Sequence, residues 1–355
     1  MMRTAYTFDD IQIIPKYSEV MSRSDCNIQT RITRNYRINR PYSSAPMDTV
    51  TDYEMASFMM GYGGVGFLHR FMSIEEQARK INAIKLDRIN YDMIASDPEA
   101  LACASIGATG DYQERAKELA KSGANIILID VAHGNTKQVK DALIWCKENL
   151  PDYVDIVAGN VSTKEGALAL AEWGADAIRV GIGNGSLCET RIRTGIGVPQ
   201  VTAIMDACAG VEQSGQDIPI IADGGLRMPG DIAKALSLGA ESVMIGSLLS
   251  GTRESPGEIQ KVGMWPNEQL FKKYRGSASA ETKAVHGMEA KNVEGNSKLI
   301  PYKGKAKRIL DDITDGLRSS MSYVNATNLT EFRLNAEHII ITQNGLIEAK
   351  PHLLL

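Results

Sequence analysis

The chain has 355 residues, 43% of them hydrophobic and 23% charged, with a formal net charge of −4. That is ordinary globular material, long for an average domain but within reach of a single α/β barrel, which needs ~250 residues. The acidic balance gives no field for nucleic acid, and no apolar run nears the ~18–20 residues of a membrane span.

The cysteines (Cys26, Cys103, Cys146, Cys188, Cys208) are scattered, odd in number and free of any C-x-x-C pair. This argues against a disulfide framework or a zinc site and for a reducing, cytoplasmic setting. The N-terminus shows no signal-peptide core.

In chain order, the first 40 residues are polar and irregular and read as an arm lying on a larger body. From about residue 43 a rhythm sets in, with short apolar runs ending in glycine or a polar residue and each followed by a helical period. Eight strands are predicted, at Tyr42–Pro46, Gly64–Leu68, Leu101–Ile106, Asn125–Ile129, Val154–Ala158, Ala177–Val180, Ile218–Ala222 and Ser242–Ile245. Helical stretches lie between them, including Tyr112–Lys121, Lys137–Asn149, Lys164–Trp173, Val201–Ser214 and Gly230–Leu238. Gly123, Gly174 and Gly239 stand where helix C-termini favour a left-handed residue.

Eight strand–helix units without consecutive hairpins point to a parallel sheet, and eight is the number that closes a TIM (β/α)8 barrel. An open doubly wound sheet is the alternative, weakened because no G-x-G-x-x-G opens an early helix. Beyond the eighth strand, Lys273 to Lys305 is rich in glycine, serine and charge and too long for a tight connection, so it is expected to be an active-site flap. A helix is expected over about 305–321. Asn344-Gly345, between Ile339-Ile340-Ile341 and Leu346-Ile347, predicts a terminal hairpin. The chain thus reads as one domain, with the barrel at about 42–272, the flap at about 273–305 and a C-terminal extension over 306–355.

A barrel carries its chemistry at the C-terminal ends of its strands. Those ends read Pro46-Met47-Asp48, His69-Arg70, Gly107, Asp130-Val131-Ala132-His133-Gly134, Gly159-Asn160, the loop from Gly183 to Thr190, Asp223-Gly224-Gly225 and Gly246-Ser247. In the sixth of these, Gly181, Gly183 and Gly185 let the backbone turn its dipoles toward one point. Cys188 sits at the rim of that loop as a candidate nucleophile, the alternative being a buried, inert cysteine. Thr190, two residues on, shares its side of an extended loop and can relay a proton. Glu294, on the expected flap, is the carboxylate that sets the charge of that relay.

Gly224, Gly225, Gly246 and Ser247, with the Ser186 hydroxyl, make the predicted phosphate cradle. Asp223, an acceptor only when ionised, suits two ribose hydroxyls. The set describes a nucleoside monophosphate site. The carbonyls of Gly183, Gly185 and Cys188 are the predicted ligands of a monovalent cation, since backbone oxygens suit hard ions.

These residues resemble the IMP dehydrogenase/GMP reductase family over nearly the whole chain. The resemblance rests on Tyr6-Thr7-Phe8-Asp9-Asp10, Ala45-Pro46-Met47-Asp48-Thr49-Val50-Thr51, Ala158-Gly159-Asn160-Val161, the loop Val180 to Arg191, Ala222-Asp223-Gly224-Gly225-Leu226-Arg227 and Tyr274-Arg275-Gly276. Dehydrogenases of the family usually insert a paired regulatory module after the second strand. Here only about thirty residues separate His69-Arg70 from the third strand, too few for a domain. The dehydrogenase flap bears an Arg-Tyr pair, which is missing here, and Lys291-Asn292-Val293-Glu294-Gly295 is similar to the catalytic segment of the reductases. Asp130 to Gly134 and Leu317 to Tyr323 also lean to the reductases, whereas Pro46 to Thr51 is closer to the dehydrogenases.

The resemblance on balance implies NADPH-dependent conversion of GMP to IMP and ammonia, with Cys188, Thr190 and Glu294 catalytic and potassium as the cation. It implies base contacts from Gly276, Ser277, Lys291 and Gly295. Dinucleotide contacts are implied from Ser22, Arg23, Asp130, Val131 and Ala132, with Ser319 and Ser322 from a neighbouring subunit of a homotetramer. A compact IMP dehydrogenase and a non-catalytic nucleotide-binding barrel are the competing readings. Two positions depart from the family pattern: Asn184 replaces a proline, which is expected to loosen the loop, and Glu189 replaces a threonine beside Cys188, where a carboxylate is expected either to repel the thiolate or to face solvent.

Overall fold

Strands buried on both faces appear in sequence as near-continuous apolar runs, and that signal is strong here. The computed structural model describes residues 2–87, 100–264, 267–287, 289 and 291–350. Its centre is a closed barrel of eight parallel strands. These are β1 (Tyr42–Ser44), β2 (Val65–Leu68), β3 (Cys103–Ile106), β4 (Ile126–Asp130), β5 (Asp155–Val161), β6 (Ala177–Val180), β7 (Ile220–Asp223) and β8 (Ser242–Ile245). β8 pairs with β1 and closes the ring, so the open doubly wound sheet is set aside. All eight strands fall where the apolar runs put them, with ends shifted by a few residues.

The helices around the barrel include α1 (Tyr53–Tyr62), α2 (Ile74–Asp87), α3 (Tyr112–Lys121), α4 (Lys137–Asn149) and α5 (Lys164–Glu172). After them come α6 (Thr190–Thr194), α7 (Gln200–Ser214) and α8 (Pro229–Ser237). Local chemistry sets their ends. Thr136 and Thr163 cap α4 and α5 by accepting the amides of Val139 and Gly166. Gly123, Gly174 and Gly239 follow their helices with φ of +95°, +96° and +120°.

Alternation along the strands divides the apolar residues into two cores. Val65, Phe67, Cys103, Ile126, Leu128, Val157, Ala177, Ile221 and Met244 fill the barrel interior, while the other faces pack under the helices. The arm is more ordered than expected. It carries a strand at Ile11–Ile13 and a small hairpin, Thr30–Arg31 with Arg37–Ile38. That hairpin delivers Ile32, Tyr36 and Ile38 to the interior core. Buried Asp155, at the N-terminal end of β5, holds it by accepting from the Thr33 hydroxyl at 2.6 Å and the Asn35 side chain at 2.8 Å.

Two expectations are corrected. The flap expected from Lys273 to Lys305 begins earlier, within the range assigned to the barrel. It is a three-stranded antiparallel sheet of β9 (Gln260–Val262), β10 (Gln269–Arg275) and β11 (Ser297–Pro301), with the short helix α9 (Ala280–Val285) at its tip. Nor does Asn344-Gly345 turn a hairpin. Thr342 accepts the Gly345 amide and starts a helix over Gln343–Glu348. The strand before it, His338–Ile340, pairs antiparallel with Ile11–Ile13 of the arm. A ready-made partner from the N-terminus outcompeted the local turn. The expected helix is α10 (Ala306–Tyr323), packed on α8 and the arm.

The interior core gives a stability test. Phe67 is fully buried, so Phe67→Ala is expected to cost about 3–5 kcal/mol, read as a fall in the urea midpoint.

Candidate active site

Strand β6 ends at Val180, and Gly181 leaves it at φ +146°, where an added Cβ would lie 1.9 Å from the Asp223 carbonyl oxygen. Only glycine lets the loop pass so close to the end of β7. The loop then folds back, with the Cys188 amide donating to the Gly185 carbonyl at 3.1 Å. Cys188 Sγ lies 3.1 Å from Thr190 Oγ1, and Thr190 Oγ1 donates to Glu294 Oε2 at 2.7 Å. The three predicted catalytic side chains therefore form one hydrogen-bonded chain, although Glu294 comes from the flap.

Backbone pairing holds that chain together. The Glu189 amide donates to the Glu294 carbonyl at 2.8 Å, and the Asn296 amide donates to the Leu187 carbonyl at 3.0 Å. Cys188 and Gly295 thus face each other as an antiparallel bridge. The two departures find partners. Glu189 turns its carboxylate to Arg193, accepting at 3.0 and 2.9 Å, so its charge is paired. Asn184 is bonded on several sides. Its amide nitrogen donates to the Val198 carbonyl at 3.0 Å and to Gln200, its amide oxygen accepts from Arg191, and its carbonyl accepts the Gly225 amide at 2.9 Å.

A second constellation spans β4 to β7. Arg179, an inward residue of β6, is buried; it donates to Asp130 at 2.5 Å and to Asp223 at 3.0 Å. Asn160 donates to the same Asp223 oxygen at 2.8 Å and to the Gly181 carbonyl at 2.7 Å. Its own Oδ1 is buried without a partner among the described residues. A buried acceptor lacking a donor is costly, and beside two carboxylates it fits a ligand rich in donors, such as ribose hydroxyls or a carboxamide. Sequence reasoning missed Arg179, although an arginine within a buried strand was itself the signal.

Around the predicted cradle, Ser186 Oγ lies 3.1 Å from the hydroxyl of buried Tyr274, whose phenol is pushed up by burial. The amides of Ser247 and Leu248 open a turn at the end of β8 and find no acceptor among the described residues. Lys303, also missed, donates to the Ser247 carbonyl at 2.5 Å. Gly276 and Gly295 lie together at the flap tip, with Ser277 next to them. Lys291, by contrast, is exposed and paired with Glu289 at 2.7 Å. Val131 is tied to β5 through the Gly159 carbonyl at 3.2 Å, and Ala132 is exposed. Ser22 and Arg23 are exposed on the arm segment that packs on α10, which carries Ser319 and Ser322. No cluster of metal-ligating side chains occurs among the described residues.

The thiol–hydroxyl–carboxylate chain and the Arg179–Asp130–Asp223 cluster stand at the C-terminal ends of the barrel strands. A profile of the IMP dehydrogenase / GMP reductase domain matches residues 5–352. The chain belongs to this family. It is 36% identical over 400 residues to an inosine-5'-monophosphate dehydrogenase of Borreliella burgdorferi, covering 99% of this chain and 97% of that protein. It is 36% identical over 391 residues to one of Cryptosporidium parvum, covering 98% and 94%. A third, from Nitrosopumilus maritimus, is 32% identical over 471 residues, covering 98% of each, an alignment longer than this chain. Family membership makes the chain an oxidoreductase of purine metabolism that handles a nucleotide with a nicotinamide cofactor. No helix of the described residues is long and apolar enough to cross a membrane.

His69, at the end of β2, gives a pH test of the mouth. It is buried, accepts the Phe71 amide on Nδ1 at 3.2 Å, and is pushed by burial from 6.5 down to about 4. Between those values the unfolded chain binds more protons than the folded one, so stability falls as pH drops from 6.5 toward 4. The loss is expected to reach about 1.4 kcal/mol per pH unit, and His69→Gln should flatten it in urea titrations repeated across that window.

Proposed function

We propose that this member of the family is a GMP reductase, converting GMP and NADPH to IMP, ammonia and NADP+. The observation that carries the reading is the unbroken chain from Cys188 through Thr190 to Glu294, with a carboxylate where a dehydrogenase flap presents an Arg-Tyr pair. Asp223 and Asn160 would orient the substrate ribose, and Ser186, Gly224, Gly225, Gly246 and Ser247 the phosphate. Gly276, Ser277 and Gly295 would close over the base, with Lys291 at the margin.

Cys188 Sγ bonds to purine C2 as the C2–amino bond breaks. The thiol proton passes by way of Thr190 and Glu294 to the departing amine, which leaves as ammonia. Bound NADPH supplies the hydride that C2 then receives. The C2–Sγ bond then breaks with its electron pair on sulfur, and one proton from solvent restores the Cys188 thiol. Covalent capture divides one hard displacement into easier steps. Asp130, Val131 and Ala132, with Ser22 and Arg23, would hold the dinucleotide, completed by Ser319 and Ser322 of a neighbouring copy in a homotetramer. A monovalent cation, potassium by the resemblance, would bind the carbonyls of Gly183, Gly185 and Cys188.

A second reading, a compact IMP dehydrogenase, is favoured by the names of the relatives above. Absorbance at the nicotinamide band separates the two. GMP with NADPH should lose absorbance, and IMP with NAD+ should gain none. Cys188→Ala should abolish turnover, and Glu294→Gln should lower kcat by about 100-fold or more. Gain of absorbance with IMP and NAD+ alone would replace the first reading by the second.

A further inference from the structure

The chemistry above uses Glu294 but leaves unused a cluster where the flap meets β1 and β2. Asp48, just beyond β1, has a side chain only 4% exposed and receives donors from both limbs of the flap. Arg275, the last residue of β10, donates to it from Nε at 3.1 and 3.0 Å and from Nη2 at 2.7 Å. His286, the residue that ends α9, meets the same carboxylate through Nε2 at 2.7 Å. A carboxylate only accepts, so His286 presents its N–H there. The ring of Phe71 stacks on His286 with centroids 5.2 Å apart and planes 22° apart.

From that anchor α9 leads straight back to the catalytic carboxylate. Lys283 in α9 donates to the Asn292 carbonyl at 2.9 Å and to that of Lys291. The Glu294 amide donates to the Ala278 carbonyl at 3.2 Å, and Ser279, which caps α9, bridges to Gly295. Arg275 fixes where the flap leaves its sheet and His286 fixes where its helix ends. One anchored point leaves a rigid piece free to swing in any direction, whereas a second confines it to rotation about the line between them.

We propose that His286 is a positioning residue for the reaction: its hydrogen bond to Asp48 and its stack on Phe71 pin the flap helix so that Glu294 is held against Thr190. It touches no reacting atom and acts through α9. The activity arm of the test rests on the reductase reading, and a second arm does not.

His286→Ala is expected to lower kcat roughly 10- to 100-fold, the scale of a displaced catalytic group, while the KM for GMP moves less than about threefold. His286→Gln, whose amide can still donate to Asp48, should recover most of the rate. Trypsin cleavage after Lys283 and Lys291 should quicken several-fold in the Ala variant and stay near wild type in the Gln variant. That arm needs no turnover, so it reads the latch even where GMP proves not to be the substrate. Should His286→Ala fail to fold, Phe71→Leu is expected to shift both readouts the same way by a smaller factor. Unchanged kcat and cleavage in these variants, or equal impairment of the Ala and Gln variants, overturns the proposal.

Discussion

Two backbone hydrogen bonds, Glu189 to Glu294 and Asn296 to Leu187, hold a thiol on a glycine-rich loop beside a carboxylate on a distant flap. Each segment alone would pay heavily in conformational entropy to find the other. Paired as neighbouring strands, they place Cys188 opposite Gly295 and bring Thr190 within 2.7 Å of Glu294. Gly295 is buried at the junction, and a Cβ there would sit 3.2 Å from the Ser279 amide nitrogen. The Cys188–Thr190–Glu294 chain is thus an outcome of main-chain geometry, with side chains completing what the pairing has already aligned. Groups held in this way avoid most of the orienting cost at the moment of reaction.

Charge at the barrel mouth is organised by the same economy of partners. Arg179 is buried and divides its fork between Asp130 and Asp223. A guanidinium suits that task because its planar donors can serve two carboxylates at once. Asn160 adds a donor to Asp223 and leaves its own oxygen unpaired. The two carboxylates and the Asn160 oxygen keep acceptor capacity of the kind a hydroxyl-bearing ligand would fill.

Much of this was legible in the chain, for identifiable reasons. Parallel strands such as Ile126–Asp130 are buried on both faces, so they read as apolar runs, and glycines in left-handed positions mark where the helices stop. The site loop was legible because Gly181, Cys188 and Thr190 are close in sequence. What failed depended on distant partners. β10, with the sequence QLFKKYR, and β11 are half-exposed and lysine-rich, so nothing in their composition announces a sheet. The Asn344-Gly345 turn signal was real but local, and Ile11–Ile13 offered the strand before it a better partner. The bonds of Asn184 to Val198, Gln200 and Arg191 were hidden for the same reason, since only the fold assembles those partners.

The construction of the flap decides how the site can open. β10 and β11 pair from Phe271–Pro301 to Arg275–Ser297, a ladder that continues up to the edge of the catalytic segment. β9 flanks it, and buried Lys272 ties the base to the Arg253 and Ser255 carbonyls at 3.3 and 2.6 Å. Lifting the whole flap would break all of these bonds. Among the described residues, lifting the tip between Gly276 and Asn296 breaks the pairing at Cys188–Gly295, the Thr190–Glu294 bond and the His286 contacts with Asp48 and Phe71. The lower-cost motion therefore separates Glu294 from Thr190 while leaving Cys188 on its loop. Raising the tip and parting Thr190 from Glu294 are then one event, because the carboxylate is carried by the tip itself.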